Sequence, residues 1–436
     1  MAEHSDLAKR RAAVLPDWLN TYYEQPIDID SGRGRHVWDA EGNRYLDLFG
    51  GILTTMTEHA LPEVTAAVTQ QAEKLLHSST LYLNRPMVEL AERVAELSGI
   101  EDPRVFFTTS GTEANDTALL LATAHRSSNQ VLALRNSYHG RSFSSMAITG
   151  NRTWSPTSLS PLQTLYVHGT RRPGTPLEGL SDAAVIDACV QDLEDVLNQV
   201  RENVACLIAE PIQGVGGFST PPDGLFAAFK QVLDRHGILW ISDEVQTGWG
   251  RTGEHFWGWQ AHGSQGAPDV VTFAKGLGNG LPIGGVIARG EVMNSLPANS
   301  LSTFGGSPAT SAGALANLEH LLEHDLQDNA RRVGQVLRDA LQCGTGELPQ
   351  VADVRGKGLM LGVELVRPGT REPAPEVATA VLERARERGV LVGKGGLNGN
   401  VLRIAPPLSL TEGEAREGAR VLVEAVREAG GCAAET

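Results

Sequence analysis

The chain is short of cysteine, lysine, long apolar runs and excess positive charge, and each shortage narrows what it can do. Its four cysteines, Cys189, Cys206, Cys343 and Cys432, show no Cys-x-x-Cys spacing. Neither a zinc site nor a disulfide framework is indicated, and no metal is expected. No apolar run approaches the roughly 18 residues that span a bilayer. The opening residues, Met-Ala-Glu-His-Ser-Asp-Leu-Ala-Lys-Arg-Arg, lack the apolar segment of a secretory signal. A soluble protein of the reducing cytoplasm, with no membrane partner, is the expectation. The formal net charge of -15 argues against nucleic acid as the main partner.

What is present describes a globular α/β chain. Hydrophobic residues make up 41%, charged residues 20%, and there are 48 glycines. At 436 residues the chain has room for two or three domains.

Lysine is the informative scarcity. It occurs only as Lys9, Lys74, Lys230, Lys275, Lys357 and Lys394. Of these, only Lys275 directly follows an apolar strand-like run, Val270 to Phe273. A second such run, Ile238 to Ile241, delivers Asp243. A charge at a buried sheet edge needs a partner or a task. Burial lowers a lysine's pKa and frees its amine as a nucleophile for Schiff-base chemistry, while an aspartate can hold a protonated ring nitrogen. Those two roles are what pyridoxal phosphate asks of a protein. The two residues alone suit a buried ion pair equally well.

The rest of the chain repeats one unit: strand, functional residue, helix or loop. The strand Val105 to Thr109 turns on Ser110-Gly111-Thr112 into a helix-like run from Glu113. That turn is either an ordinary helix cap or a phosphate cradle of backbone amides and hydroxyls at a dipole's positive end. Val131 to Leu134 ends at Tyr138-His139-Gly140-Arg141, where Tyr138 either stacks on a flat ring or plugs the core. Cys206 to Ala209 delivers Glu210. The pattern predicts a mostly parallel sheet with its site along the carboxyl ends of the strands.

Further expectations fill in the chain. Residues 1 to 35 show no sustained periodicity and read as an arm that packs on something else, and 36 to 47 as a hairpin around Glu41-Gly42-Asn43. Residues 150 to 184 read as a long surface excursion. Helices are expected at 86 to 97, 225 to 235, 308 to 322 and 330 to 341. From Val351 a separate small α/β domain is expected, with a capping box at Thr411 and Glu414 opening its last helix. Arg403 lies in an otherwise apolar strand, which suits either carboxylate recognition or a structural ion pair. Gly248-Trp249-Gly250-Arg251-Thr252-Gly253 satisfies G-x-G-x-x-G, yet its position after the strand and its aromatic sequel disfavour a dinucleotide turn. A dehydrogenase built on that turn, and a cofactor-binding protein without turnover, are the readings from other classes.

Seven stretches in order carry a resemblance that runs from about Val37 to Val423: Thr-Ser-Gly-Thr-Glu-Ala-Asn, Tyr-His-Gly-Arg, Ala-Glu-Pro-Ile-Gln-Gly, Ser-Asp-Glu-Val-Gln-Thr-Gly-Trp-Gly-Arg-Thr-Gly, Ala-Lys-Gly-Leu-Gly-Asn-Gly, Thr-Phe-Gly-Gly-Ser-Pro and Leu-Arg-Ile-Ala-Pro-Pro-Leu. The chain resembles the class III (subgroup II) pyridoxal-phosphate aminotransferases, the ω-aminotransferase branch of fold type I. Within that family the pattern is most like the alanine–glyoxylate type 2 and 4-aminobutyrate-like members. The resemblance implies a large domain with a mostly parallel seven-stranded sheet and a smaller α/β domain from the two chain ends. The divisions would be 1–60 for the arm and part of the small domain, 61–325 for the cofactor domain and 326–436 for the rest.

It also implies roles. Lys275 would form the Schiff base and shuttle the proton, and Asp243 would keep the pyridine nitrogen protonated. Gln246 would bond near the ring hydroxyl and Tyr138 would cover one ring face, beside His139. Ser110, Gly111 and Thr112 would cradle the phosphate, joined by Thr303 from a second subunit, so that a homodimer is required, with dimer against tetramer left open. Arg403 would bind a substrate α-carboxylate, Glu210 would pair with it when an ω-amine is admitted, and Arg141 would read a distal carboxylate. The implied reaction moves an amino group from an amine donor to a 2-oxo acid such as pyruvate, glyoxylate or 2-oxoglutarate. An aminomutase, racemase or decarboxylase on the same lysine and aspartate is the alternative. The chain departs from the family at Thr57-Glu58-His59-Ala60-Leu61-Pro62, where Gly-His-x-His-Pro is common, and at Trp249, where Phe is usual.

Overall fold

The computed structural model describes residues 2–157, 159–171, 175–200 and 203–433. The chain opens with helix Ala2–Val14 and then forms β1 (Ile29–Arg33), β2 (His36–Asp39) and β3 (Arg44–Asp47). The first 35 residues hold a helix and a strand where the sequence shows no sustained periodicity. β1 is almost wholly exposed, so it carries no alternation to read. β2 and β3 form the expected hairpin. Asp39 shapes its turn by accepting from the amides of Glu41 and Asn43 at 3.1 and 2.8 Å.

The central sheet follows: β4 (Pro103–Thr108), β5 (Gln130–Leu134), β6 (Gln163–Val167), β7 (Val204–Ala209), β8 (Leu239–Asp243), β9 (Val270–Phe273) and β10 (Gly284–Arg289). Their order is β4-β10-β9-β8-β7-β5-β6. Neighbours run parallel except β10, which is antiparallel to both β4 and β9. Every residue of β5, β7 and β8 is buried, because helices such as Gly111–Arg126, Asp182–Gln199 and Leu225–Arg235 pack against the sheet. Strands covered on both faces read as unbroken apolar runs, as these do. β6 falls inside the stretch expected to be a surface excursion. It is a part-exposed edge strand paired in parallel with β5, so its apolar signal is faint. Residues 158 and 172–174 of that stretch lie outside the described residues.

The C-terminal part adds β11 (Val351–Lys357), β12 (Met360–Leu365), β13 (Val390–Leu391), β14 (Gly393–Gly395) and β15 (Val401–Ile404). An antiparallel sheet of order β11-β12-β15-β14 results. β13 leaves it to pair in parallel with β3, Val390 opposite Leu46, so the two ends of the chain share a sheet. Thr411 and Glu414 cap helix Glu412–Ala433 reciprocally, the Thr411 amide donating at 2.9 Å and the Glu414 amide at 3.3 Å. Such a cap contributes about 1 kcal/mol.

Gly248 to Gly253 opens no helix. Trp249 and Trp257 are buried with ring centroids 4.6 Å apart, and Trp249 meets Phe273 of β9 edge-on at 5.5 Å. The glycines serve a core loop beneath the sheet, and the dinucleotide reading falls.

Candidate active site

β8 and β9 are adjacent and parallel, with Asp243 opposite Thr272. Both strands therefore release their next side chains at the same carboxyl edge. Asp243 is the last residue of β8, and Lys275 follows β9 by two. Lys275 sits at φ +43, a left-handed conformation that costs a non-glycine residue about 1–3 kcal/mol and persists where a site over-determines it. The residue is half-buried. Burial and then the Arg403 guanidinium push its ammonium down to about 8, against the opposing carboxylates of Asp243 and Glu210.

Asp243 is 4% exposed and held on both oxygens. Its Oδ2 accepts from Asn115 Nδ2 at 2.8 Å and from His139 Nδ1 at 2.7 Å, and its Oδ1 from the Val245 amide at 3.1 Å. A carboxylate only accepts, so Nδ1 of His139 carries the proton. Nε2 of that ring is buried without a partner. Asn115 also donates to the His139 carbonyl at 2.8 Å and accepts from Thr272 Oγ1 at 2.7 Å. One helical turn past Gly111 brings Asn115 to this point. That spacing was available in the sequence as a signal for Asn115, whose role beside Asp243 the motif alone did not give. Behind Asp243, the buried Glu244 accepts from Ser242 Oγ, Thr247 Oγ1 and the amides of Gly258 and Trp259 at 2.5 to 3.1 Å. Burial raises its pKa and these four donors oppose the rise.

Ser110 caps helix Gly111–Arg126, its Oγ accepting from the Glu113 amide at 3.2 Å. The first amides of a helix have no partner within it, so those of Gly111 and Thr112 face outward. Backbone comes close here. A Cβ on Gly111 would meet both Val245 methyls at 3.0 Å, and one on Gly140, at φ +132, would lie 2.6 Å from Thr112 Oγ1. Glu113 joins this turn to a distant loop, accepting from Ser302 Oγ at 2.6 Å and from the Thr109 amide and hydroxyl at 2.8 Å. Thr303 beside it is exposed.

At the opposite side Arg403 is 4% exposed. Its Nη2 donates to Gln246 Oε1 at 2.8 Å, its guanidinium lies 5.3 Å from the Phe49 ring and 4.8 Å from the Phe218 ring, and its Nε is buried without a partner. Glu210 is not paired with Arg403. Its two oxygens accept from the amides of Tyr138 at 2.9 Å and Gly214 at 2.8 Å, which satisfies the carboxylate locally. Burial pushes its pKa up. Gln246, expected near a ring hydroxyl, accepts from Arg403 through its Oε1. The Tyr138 ring meets Trp154 edge-on at 5.6 Å. Arg141 is exposed, its guanidinium over the Trp18 ring at 5.5 Å and its amide on Thr112 Oγ1 at 3.2 Å. These residues make one cluster: hydrogen bonds join His139 to Asp243 and Arg403 to Gln246, and Lys275 lies within electrostatic reach of Arg403, Asp243 and Glu210, while Arg141 and Thr303 are exposed.

The sequence profile described as aminotransferase class-III matches residues 20–426. The chain belongs to the class III aminotransferases. It is 37% identical over 414 residues to alanine–glyoxylate aminotransferase 2 homolog 2, mitochondrial, of Arabidopsis thaliana, covering 94% of this chain and 84% of that protein. It is 39% identical over 413 residues to the acetylornithine aminotransferase of Mycolicibacterium smegmatis, covering 94% and 95%. An amine transaminase from an uncultivated Pseudomonas species, solved with pyridoxal phosphate bound, superposes with TM-score 0.87 at 31% identity over 96% of this chain and 97% of that one.

Class III aminotransferases depend on pyridoxal phosphate, and the residues here fit it. Gly111 and Gly140 let backbone approach closely at a helix start, a buried aspartate accepts hydrogen bonds on both oxygens, and an amine of lowered pKa lies within electrostatic reach of it. Among the described residues no cluster suits a metal ion, and no helix is long and apolar enough to cross a membrane.

Proposed function

We propose that this class III aminotransferase takes an amino group from an amino-acid or ω-amine donor and passes it to a 2-oxo acid, with pyruvate, glyoxylate and 2-oxoglutarate as the candidates. The observation that carries the reading is the pair of adjacent strand ends bearing Asp243 and Lys275. Pyridoxal phosphate, when bound, supplies an aldehyde that takes up amines and a conjugated ring that accepts the electrons left when a C–H proton departs.

The chain's residues do the rest. Lys275 Nζ, half neutral at about pH 8 and more so above it, would be the amine that holds the cofactor and the base that moves the substrate proton. Asp243, held by His139 and Asn115, keeps a proton at the pyridine nitrogen. The Ser110-Gly111-Thr112 turn binds phosphate through its amides, and Tyr138 covers a ring face. Arg403 binds the substrate carboxylate, a reading its idle Nε supports. Gln246 holds Arg403 from one side. Glu210 and Arg141 complete the substrate pocket.

Homodimer formation is part of the proposal. Leu75, Leu76, Leu81, Tyr82, Leu83, Leu301 and Phe304 are 49 to 100% exposed. His77 and Phe304 bring the two segments together at 5.4 Å. An apolar patch of this kind marks an interface. Thr303 adjoins it and would reach the phosphate bound by a second copy. A cytoplasmic enzyme with domains at 1–60, 61–325 and 326–436 completes the reading, the division supported by sheet membership.

The test is colour. The yellow holoenzyme should be bleached by donor alone and restored by a 2-oxo acid. An aminomutase, racemase or decarboxylase would convert the donor without leaving the bleached form waiting for an acceptor. Screening donors against the three 2-oxo acids then names the substrates.

A further inference from the structure

Asp47 ends β3 and is 6% exposed, yet it has no part in the cluster described above. Its Oδ1 accepts from the amides of Phe49 and Gly50, both at 2.9 Å, and its Oδ2 lies 2.9 Å from His59 Nε2. His59 belongs to the run from Thr57 to Pro62 in which the sequence leaves its family pattern. Between the two acid-bound amides and His59 the chain makes a left-handed turn: Gly50, Gly51, Ile52 and Leu53 have φ of 54, 57, 68 and 60°. Glycines adopt this freely. A β-branched residue there is an outlier, and strain of this kind persists only where the surroundings impose it.

The surroundings do impose it. The Leu53 amide donates to the Phe49 carbonyl at 3.0 Å, and those of Thr54 and Thr55 to the Gly50 carbonyl at 2.8 and 2.9 Å. The Ala405 amide, two residues past Arg403, donates to the Leu48 carbonyl at 2.7 Å. What the turn delivers is the Phe49 ring, 5.3 Å from the Arg403 guanidinium. The Tyr22 ring backs it at 5.9 Å, and a Cβ on Gly393 would run into it.

We propose that Asp47, with His59 behind it, is a positioning residue for substrate selection: it holds the strained turn that keeps Phe49 on Arg403, and so fixes the guanidinium that reads a substrate carboxylate. This rests on the assignment of Arg403 to that carboxylate. Without the acid, Gly50 to Leu53 relax, Phe49 leaves, and Arg403 gains rotamers that must be frozen again when substrate binds. Asp47 touches no reacting atom, so its loss falls on carboxylate-bearing substrates and spares amines without one.

The test compares kcat and KM of the holoenzyme for L-alanine with those for isopropylamine, which carries a methyl in place of alanine's carboxylate. Asp47→Ala should raise KM for the amino acid about tenfold, the size of one desolvated cation–π contact, and leave isopropylamine within about twofold. Asp47→Asn keeps an acceptor for the two amides and should restore most of the loss. Ile52→Gly should raise the melting temperature and leave selectivity intact. Equal losses for both substrates, or no change in a folded Asp47→Ala protein, overturn the proposal. Should Asp47→Ala fail to fold, Phe49→Leu must reproduce the amino-acid-specific rise in KM, and its failure to do so overturns the proposal as well. Arg403→Ala separates the two readings: if it leaves the ratio of the two substrates unmoved, the carboxylate assignment is wrong, whereas if it moves the ratio and Asp47→Ala does not, only the role of Asp47 is wrong.

Discussion

The two ends of the cleft are built in opposite ways. At Asp243 both carboxylate oxygens are engaged, by Asn115, His139 and the Val245 amide, and Asn115 is fixed in turn by Thr272. At Arg403 one hydrogen bond to Gln246 and two aromatic rings do the holding, and Nε is left idle. The first end is closed around the carboxylate, with the buried Nε2 of His139 left over at its edge. The second keeps donors in reserve for something that arrives. The contrast supports the proposal that the first end serves the invariant chemistry and the second the recognition of substrates.

The largest change should come from the amine both ends share. Lys275→Ala should lower turnover by about four orders of magnitude and abolish cofactor trapping by hydride reduction; retained turnover would remove the mechanism. Asp243→Asn keeps the shape of the closed end and removes its charge. A fall in kcat of about 10²–10³ for every donor alike is expected, measured as the single-turnover rate of bleaching. A loss confined to carboxylate donors would erase the distinction between the ends. Arg403→Lys keeps charge at the open end and gives up the planar fork and its ring contacts, so KM for an amino acid should rise about 10–100-fold with isopropylamine little affected.

Asn115→Ala probes how far the closed network acts as a unit. Removing a donor from the buried carboxylate should cost about 1–3 kcal/mol, seen as a weaker cofactor affinity in titrations of the apoprotein. The smallest effect is one of pH. Because burial and Arg403 lower the Lys275 ammonium to about 8, the free amine grows as pH rises to that value. Cofactor capture by the apoprotein should therefore quicken about tenfold from pH 6.5 to 8 and level off above it. A rate still climbing beyond pH 10 would mean an ordinary exposed lysine.

Much of the closed end was legible in the sequence. Lys275 and Asp243 stood out as charges at the ends of β-branched runs, in a chain with few lysines, and burial of both sheet faces is why those runs were continuous. Arg403 stood out for the same reason. Partnerships were not legible. Gln246 and Arg403 are 157 residues apart, and nothing local says that one accepts from the other while Glu210 turns to backbone amides. Edge and surface elements also hid: β6 has one buried residue in five, and helix Ala2–Val14 lacks an apolar stripe. The left-handed turn after Phe49 left only its two glycines as a trace, because Ile52 and Leu53 argue against the conformation they are held in.

The pairing of β13 with β3 sets a timetable for the newborn polypeptide. Leu46 meets Val390 only after nearly the whole protein has been synthesised, which takes roughly tens of seconds at ordinary rates of translation. Until then the segment carrying Asp47 and Phe49 has only its early neighbours, β2 and His59, and a product truncated before residue 390 lacks both the strand that closes its edge and Arg403.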